Sequence, residues 1–234
     1  SVDATGERDF SFYRSANADV MLSKEDISEG TLKAAKIFHF GSVSLTADPS
    51  RTATLDAAAR AKKLGATITY DPNYRPPLWK TEKEAKEQIL WGLRQADLVK
   101  ISDEEVQFLW GCSPEQGAER VLALGAKLVM VTLGPKGCFL KNAQAEYRCG
   151  CPQVRTVDTT GAGDIFGGSA VSRFLELGKT PEQLTQLTER GGTLSLSLRG
   201  EDLLKVTGVT VGGQAAQIER QEAESLQVSV PPAL

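Results

Sequence analysis

Asp158-Thr159-Thr160-Gly161-Ala162-Gly163-Asp164 opens an apolar run (Ile165, Phe166, Ala170, Val171, Phe174, Leu175, Leu177) that recurs at helical spacing as far as Gly178. The stretch reads as a loop running directly into a helix. Small side chains at 161–163 leave the backbone N–H groups there uncovered. The first N–H groups of a helix have no partner within it, and the helix dipole makes that end positive. Such a backbone binds anions. Asp164 falls in the first turn beside the anion site, where a negative charge is tolerated. A pocket of this kind with a base at its lip suits transfer of a phosphoryl group to a hydroxyl. Gly-x-Gly-Asp alone carries little weight, because a flexible loop with a helix-capping Asp holds the same residues. The whole seven-residue string is far more specific.

The totals set the frame. A chain of 234 residues is long enough for one domain with a full core, or a core with a small lobe. A net charge of -3, with acids and bases interspersed, points to neither a nucleic-acid nor a membrane partner. No apolar run approaches the ~20 residues of a membrane helix, and the opening residues read without a signal peptide. Cys112, Cys138, Cys149 and Cys151 lack zinc-ligand spacing, and Cys149-Gly150-Cys151 is too tight for an easy disulfide. Reduced thiols and a cytoplasmic setting are the expectation. His39 is the single histidine, which excludes a His-rich metal site and argues against Ser-His catalysis.

The 158–164 string, followed by an aromatic and small residues, resembles the second signature of the ribokinase-like carbohydrate kinases, the phosphofructokinase-B group. Ser169 stands where that family usually has Ala or Gly. The resemblance runs from roughly Gly6 to Gly178, and its strings are most similar to those of fructokinases. Gly6-Glu7-Arg8-Asp9-Phe10-Ser11-Phe12-Tyr13-Arg14 alternates Phe10 and Phe12 on one face and reads as a half-buried strand. It is similar to a fructokinase strand in a small β lid over the sugar, which implies that Phe12 faces substrate. Asn17-Ala18-Asp19 stands where fructokinases usually read Gly-Ala-Asp. The family normally begins with strands carrying a Gly-Gly-x-x-x-Asn substrate motif and an acidic sugar ligand. These residues hold neither, so the resemblance implies an N-terminally truncated chain.

Between the strings, strand and helix alternate. Ser23 and Asp26 form a capping-box pattern ahead of a helix to about Lys33. Strands are expected at 35–40, 66–70, 97–101 and 127–133. Asp48-Pro49 reads as a cap with proline at the first helical position, starting a helix to Lys63 that Gly65 stops. Further helices are expected at 82–95, after Ser102, and from Ser113-Pro114 to Leu124. Residues 138–141 and 146–149 read as a hairpin. Pro181 opens a last helix, interrupted at Gly191-Gly192. Residues 205–234, rich in Gly, Gln and Val, match no pattern. The family's Ala/Asn-rich helix and Gly-Ala turn, which contact adenine and a monovalent cation, are not recognisable.

Three more loops follow strands, at the carboxyl edge where open α/β sheets bind ligands. Asp71-Pro72-Asn73-Tyr74-Arg75-Pro76-Pro77-Leu78-Trp79 is by composition a proline-stiffened turn. It is also similar to the matching fructokinase loop, which implies that Asn73 and Arg75 face the phosphates or the sugar. Ser102-Asp103-Glu104-Glu105 places acids at a helix start, where they commonly serve only as dipole partners. The family has Asn-x-x-Glu here, which implies that Glu105 organises Mg2+ through water. Ser102 replaces the Asn and keeps a hydroxyl for ATP. Thr132-x-Gly134-x-x-Gly137 resembles the family's nucleotide loop, and alone it fits a hairpin turn equally well. It is not a Walker A loop. The same resemblance puts Asp158 and Thr160 beside a K+ site; by themselves they could merely hold the turn.

The expected fold is α/β: a three-layer α/β/α ribokinase-like fold with a mainly parallel sheet, right-handed crossovers and a remnant of a small β lid. The expected divisions are a partial lid over 1–20, a kinase core over 21–204 and an unassigned tail over 205–234. The implied activity is ATP-dependent phosphorylation of a sugar hydroxyl, with fructose the favoured acceptor. Asp164 would take the hydroxyl proton as general base. The N–H groups of Gly161, Ala162 and Gly163 would hold charge on the γ-phosphoryl oxygens, with Gly161 and Gly163 also touching ATP. ATP, Mg2+ and K+ are the implied cofactors. Ribose, a nucleoside or another ketose is the alternative acceptor, and a catalytically silent family member the alternative class. Lid strands commonly pair between subunits in this family, which implies a homodimer.

Overall fold

Four short apolar runs form the parallel strands β1 (Ile37–Gly41), β2 (Thr67–Asp71), β3 (Leu98–Ser102) and β4 (Leu128–Thr132). The computed structural model describes residues 17–151, 159–178, 180–181, 194–199, 209–211, 214–221 and 225–230. α1 (Glu29–Ala34) precedes β1, α2 (Ser50–Lys63) joins β1 to β2, and α3 (Glu82–Gln95) joins β2 to β3. α4 (Asp103–Trp110) and α5 (Pro114–Ala123) join β3 to β4. Strand order in the sheet follows chain order. Right-handed crossovers that always step in one direction fall on one face. That face is the main core: Phe40, Ile68, Tyr70, Val99, Ile101, Val129 and Val131 meet Ala58, Ala61, Ile89, Leu93, Val106, Ala118 and Val121.

Side chains alternate along a strand, so Leu98, Lys100 and Leu128 point to the other face. There α6 (Ala162–Leu177) forms the third layer, and its Phe174 packs on Leu98 and Leu128. After β4 the chain turns back at once. The Leu133 N–H donates to the Gly137 carbonyl at 2.8 Å, and β5 (Cys138–Asn142) and β6 (Glu146–Cys149) complete the sheet as an antiparallel edge. Among the described residues no helix is long and apolar enough to cross a membrane.

Side-chain caps set the helix starts. Ser102 and Ser113 close capping boxes with Glu105 and Gln116, and Thr81 Oγ1 accepts the Glu84 N–H. Asp48 Oδ1 takes the Thr52 N–H at 3.2 Å, but Pro49 occupies the N-cap and the helix begins at Ser50. The helix expected from Ser23 to Lys33 is divided. Its capping box closes only a 3-10 turn (Lys24–Asp26), Ile27 is extended, and Ser28 then caps α1.

A second, antiparallel sheet comprises β7 (Leu194–Arg199), β8 (Val209–Val211), β9 (Gln214–Gln221) and β10 (Ser225–Val230), in the order β7-β10-β9-β8. The stretch 205–234, patternless in the sequence reading, therefore holds three strands, and β10 pairs with β7 ahead of residue 204. The expected lid strand and the body of the helix after Pro181 lie outside the described residues.

Candidate active site

The carboxyl ends of β2 and β3 place opposite charges in contact. Asp71 closes β2 and Lys100 lies on β3, both on the face that α6 covers. Lys100 Nζ is 2.9 Å from Asp71 Oδ2, with the two side chains 11% and 8% exposed. The other oxygen, Oδ1, accepts the Asn73 N–H at 3.2 Å. Asn73 has φ of 47°, in the left-handed region that Asn tolerates better than most residues. Burial pushes the Asp71 carboxyl above its ordinary range, against the opposing pull of Lys100.

Glu105 joins this group from the first turn of α4. Its Oε2 accepts the Ser102 N–H at 2.9 Å, and its Oε1 accepts the Tyr74 N–H at 2.7 Å. One carboxylate thus ties the 102–105 turn to the 71–75 loop. Burial raises the Glu105 carboxyl and the nearby Asp71 charge adds to that, while the two backbone donors oppose it. Ser102 pairs with Thr132 across β3 and β4, which sets the 132–137 turn beside the same edge.

The glycine turn lies over Lys100. Gly161 has φ of 76°, a conformation that glycine adopts freely, and it caps α6. A β-carbon at Gly163 would come within 2.9 Å of Lys100 Nζ, so the amine sits directly against the first turn of the helix. Asp164 is exposed in that turn, its Oδ2 lying 4.0 Å from where a β-carbon on Gly161 would stand. The Ala162 N–H donates to the Thr159 carbonyl at 3.1 Å. That bond engages the Ala162 N–H within the turn itself.

All four sequence-marked loops thus meet one edge of one sheet. Residues 1–203 match the pfkB family of carbohydrate kinases. The chain belongs to that family. It is 41% identical over 175 residues to fructokinase-2 of Solanum lycopersicum, covering 74% of this chain and 53% of that protein. It is 43% identical over 178 residues to fructokinase-1 of Zea mays, covering 74% and 54%. Among solved structures it resembles the fructokinase of Vibrio cholerae O395 in its fructose-, ADP- and calcium-bound form. That likeness has a TM-score of 0.68 at 35% identity, covering 74% of this chain and 56% of the other. It also resembles the aminoimidazole riboside kinase of Salmonella enterica complexed with aminoimidazole riboside and an ATP analog. There the TM-score is 0.63 at 31% identity, covering 68% and 53%. The chain spans about half the length of the relatives it matches, and its fold is the ribokinase-like α/β fold of these kinases.

Within this pfkB chain the structure brings together Asn73, Arg75, Ser102, Glu105, Thr132, Gly134, Gly137 and the 160–164 turn. Phe12 and Asp158 lie outside the described residues. Sequence reading missed Lys100 and the role of Asp71 as its partner. The signal was a lysine inside the apolar run Leu98-Val99-Lys100-Ile101, where a buried strand has little reason to carry charge. An open cleft of about 840 Å³ borders Leu133 and Lys136 and runs between the starts of α4 and α5, so it adjoins the 132–137 turn and not the glycine turn.

The donor set fits a Mg2+ ion held mainly by phosphates. Among the described residues no cluster of three or more His, Cys, Asp or Glu forms a protein cage. Both Glu105 oxygens already accept backbone N–H groups, which leaves them lone pairs for water. Mg2+ commonly keeps several waters and takes one or two carboxylates plus substrate phosphates.

Proposed function

We propose that this chain carries the phosphoryl-transfer half of an ATP-dependent sugar kinase, with fructose as the acceptor. The observation that carries the reading is the glycine turn at 161–163 seated on Lys100, with Asp164 in the same turn. Asp164 accepts the proton of the attacking hydroxyl, an effect worth about 10²–10⁴ in rate. The N–H groups of Gly161 and Gly163 stabilise charge on the transferring group, and one such donor is worth about 2.7–4 kcal/mol in other enzymes. Lys100, held by Asp71, supports the turn from beneath. Arg75 and Asn73 contact the phosphates or the sugar from the neighbouring loop, while Thr132, Gly134, Gly137 and Ser102 hold the nucleotide. Mg2+, when bound through water to Glu105, neutralises phosphate charge. By the family resemblance Asp158 and Thr160 border a K+ site, and Phe12 faces the sugar. Residues 21–204 form the kinase core, with 1–20 part of the lid and 205–234 an unassigned tail whose β10 pairs with β7 of the core. A cytoplasmic homodimer joined through that lid completes the reading.

The test is coupled ADP release with fructose, ATP and Mg2+, on this chain and on one extended ahead of Ser1 by the N-terminal part of a pfkB relative. Asp164→Asn should keep nucleotide binding and lower turnover by about 10²-fold or more. Full turnover in that variant removes Asp164 from the mechanism. No ADP release from either chain sinks the kinase reading and leaves a silent binding member. The likeness to the riboside kinase supports a second acceptor class, and a panel of fructose, ribose and nucleosides decides between them.

A further inference from the structure

Tyr74 lies between Asn73 and Arg75, and three separate contacts converge on it. Its N–H donates to Glu105 Oε1 at 2.7 Å. Its carbonyl accepts from Arg75 Nη1 at 3.0 Å, so the peptide orients the guanidinium. Its ring stacks on Phe108, with centroids 4.1 Å apart and planes 17° from parallel. Glu105 and Phe108 are three residues apart on α4 and therefore share a face. Together they grip the backbone and the ring of the same loop residue. Lys86 Nζ, from α3, stands 4.8 Å from the Phe108 ring centroid and holds it from a second element.

We propose that Phe108 is a positioning residue, which through Tyr74 sets where Asn73 and Arg75 stand for phosphoryl transfer. This rests on the reading of 71–75 as a substrate-facing loop. Pro72 and Pro76 flank the segment, and each fixes its own φ and restricts the residue before it. A shift of Tyr74 therefore passes to its neighbours, since the loop has little slack to absorb it. Phe108 and Tyr74 are only partly buried and sit at the margin of the core. Loss of the stack is thus felt locally, in the loop, more than in the stability of the sheet.

The experiment uses this chain extended ahead of Ser1 as above, with three substitutions, Phe108→Ala, Phe108→Leu and Phe108→Tyr. Hydrogen exchange at 72–75 and steady-state kinetics are read on each. An aromatic pair is worth enough to change a local opening equilibrium about tenfold. Phe108→Ala and Phe108→Leu should speed exchange of the Tyr74 amide by about that factor, and small misplacements at a transfer site should lower kcat by tenfold or more. Phe108→Tyr, which keeps a stacking ring, should restore both exchange and kcat. Unchanged exchange and kcat in the alanine and leucine variants would overturn the proposal, as would failure of the tyrosine variant to rescue. If the unsubstituted protein phosphorylates no sugar, the kinase reading alone fails, and the exchange rates decide whether Phe108 holds the loop.

Discussion

Replacing Lys100 with methionine should make the stability of this chain depend steeply on pH. The pair it breaks is short and buried, with Nζ 2.9 Å from Asp71 Oδ2. At an effective dielectric of about 20, charges at that separation attract by roughly 6 kcal/mol before desolvation is subtracted. Removing one partner of a buried pair costs about 3–5 kcal/mol in other proteins, because the remaining charge is stranded. Asp71 and Glu105 both have folded-state values above the ordinary carboxylate range, burial being the main cause in each. A raised carboxylate favours the folded chain while it is protonated, and that contribution is lost as pH rises through its folded value. Without Lys100 the Asp71 carboxyl is pushed further up, so the loss grows. Lys100→Met should therefore be destabilised by about 3–5 kcal/mol near pH 8. Near pH 4, where Asp71 can protonate, the deficit should shrink to about 1 kcal/mol. Urea unfolding followed by circular dichroism in EDTA measures both. Asp71→Asn in the same background should recover part of the loss at the higher pH. An equal penalty at both pH values, or no recovery in the double variant, would refute the stranded-charge argument.

Gly117→Ala should destabilise by about 1–3 kcal/mol despite the better helix propensity of alanine. Its β-carbon would clash with Val106 Cγ1, and Val106→Ala in the same chain should relieve most of the cost in a thermal melt. Tyr70→Phe should leave stability unchanged or raise it by about 1 kcal/mol, because the buried hydroxyl has no hydrogen-bond partner among the described residues. A loss above about 1 kcal/mol in urea would show a partner there. Alkylation with iodoacetamide at mildly alkaline pH should modify the exposed Cys149 and Cys151 and spare Cys138 until urea is added. Burial pushes the Cys138 thiol up to about 11, so little thiolate is present. Equal labelling of the three by mass spectrometry would contradict that.

The parallel core was legible because its strands are short apolar runs separated by capped helices. The run read at 97–101 lies at Leu98–Ser102, and that at 66–70 lies at Thr67–Asp71. Loop positions followed, since a parallel strand delivers its carboxyl end to one edge. The contact of Asp71 with Lys100 was not legible, because it depends on which strand neighbours which and on their register. The use of the Ala162 N–H by Thr159 was hidden for a similar reason, as small side chains mark an exposed backbone without showing how it turns. The second sheet did leave a signal that was passed over. Leu194-Ser195-Leu196-Ser197-Leu198 alternates with a period of two, and Gly212-Gly213 falls between β8 and β9 as a hairpin's glycines commonly do.

The immediate reversal after β4 limits how this part of the chain can vary. Crossovers between β1, β2, β3 and β4 run through whole helices, where added residues can be looped out at the surface. At 133–137 only a short turn, with a single 3-10 segment (Gly134–Lys136), separates the outgoing strand from the returning one. A single residue inserted there would slide β5 by one position against β4 and turn Phe139 from the interior to solvent. Length polymorphism among related chains should accordingly be tolerated around 79–81 and excluded at 134–136. A deletion–insertion scan scored by soluble yield would reveal any exception.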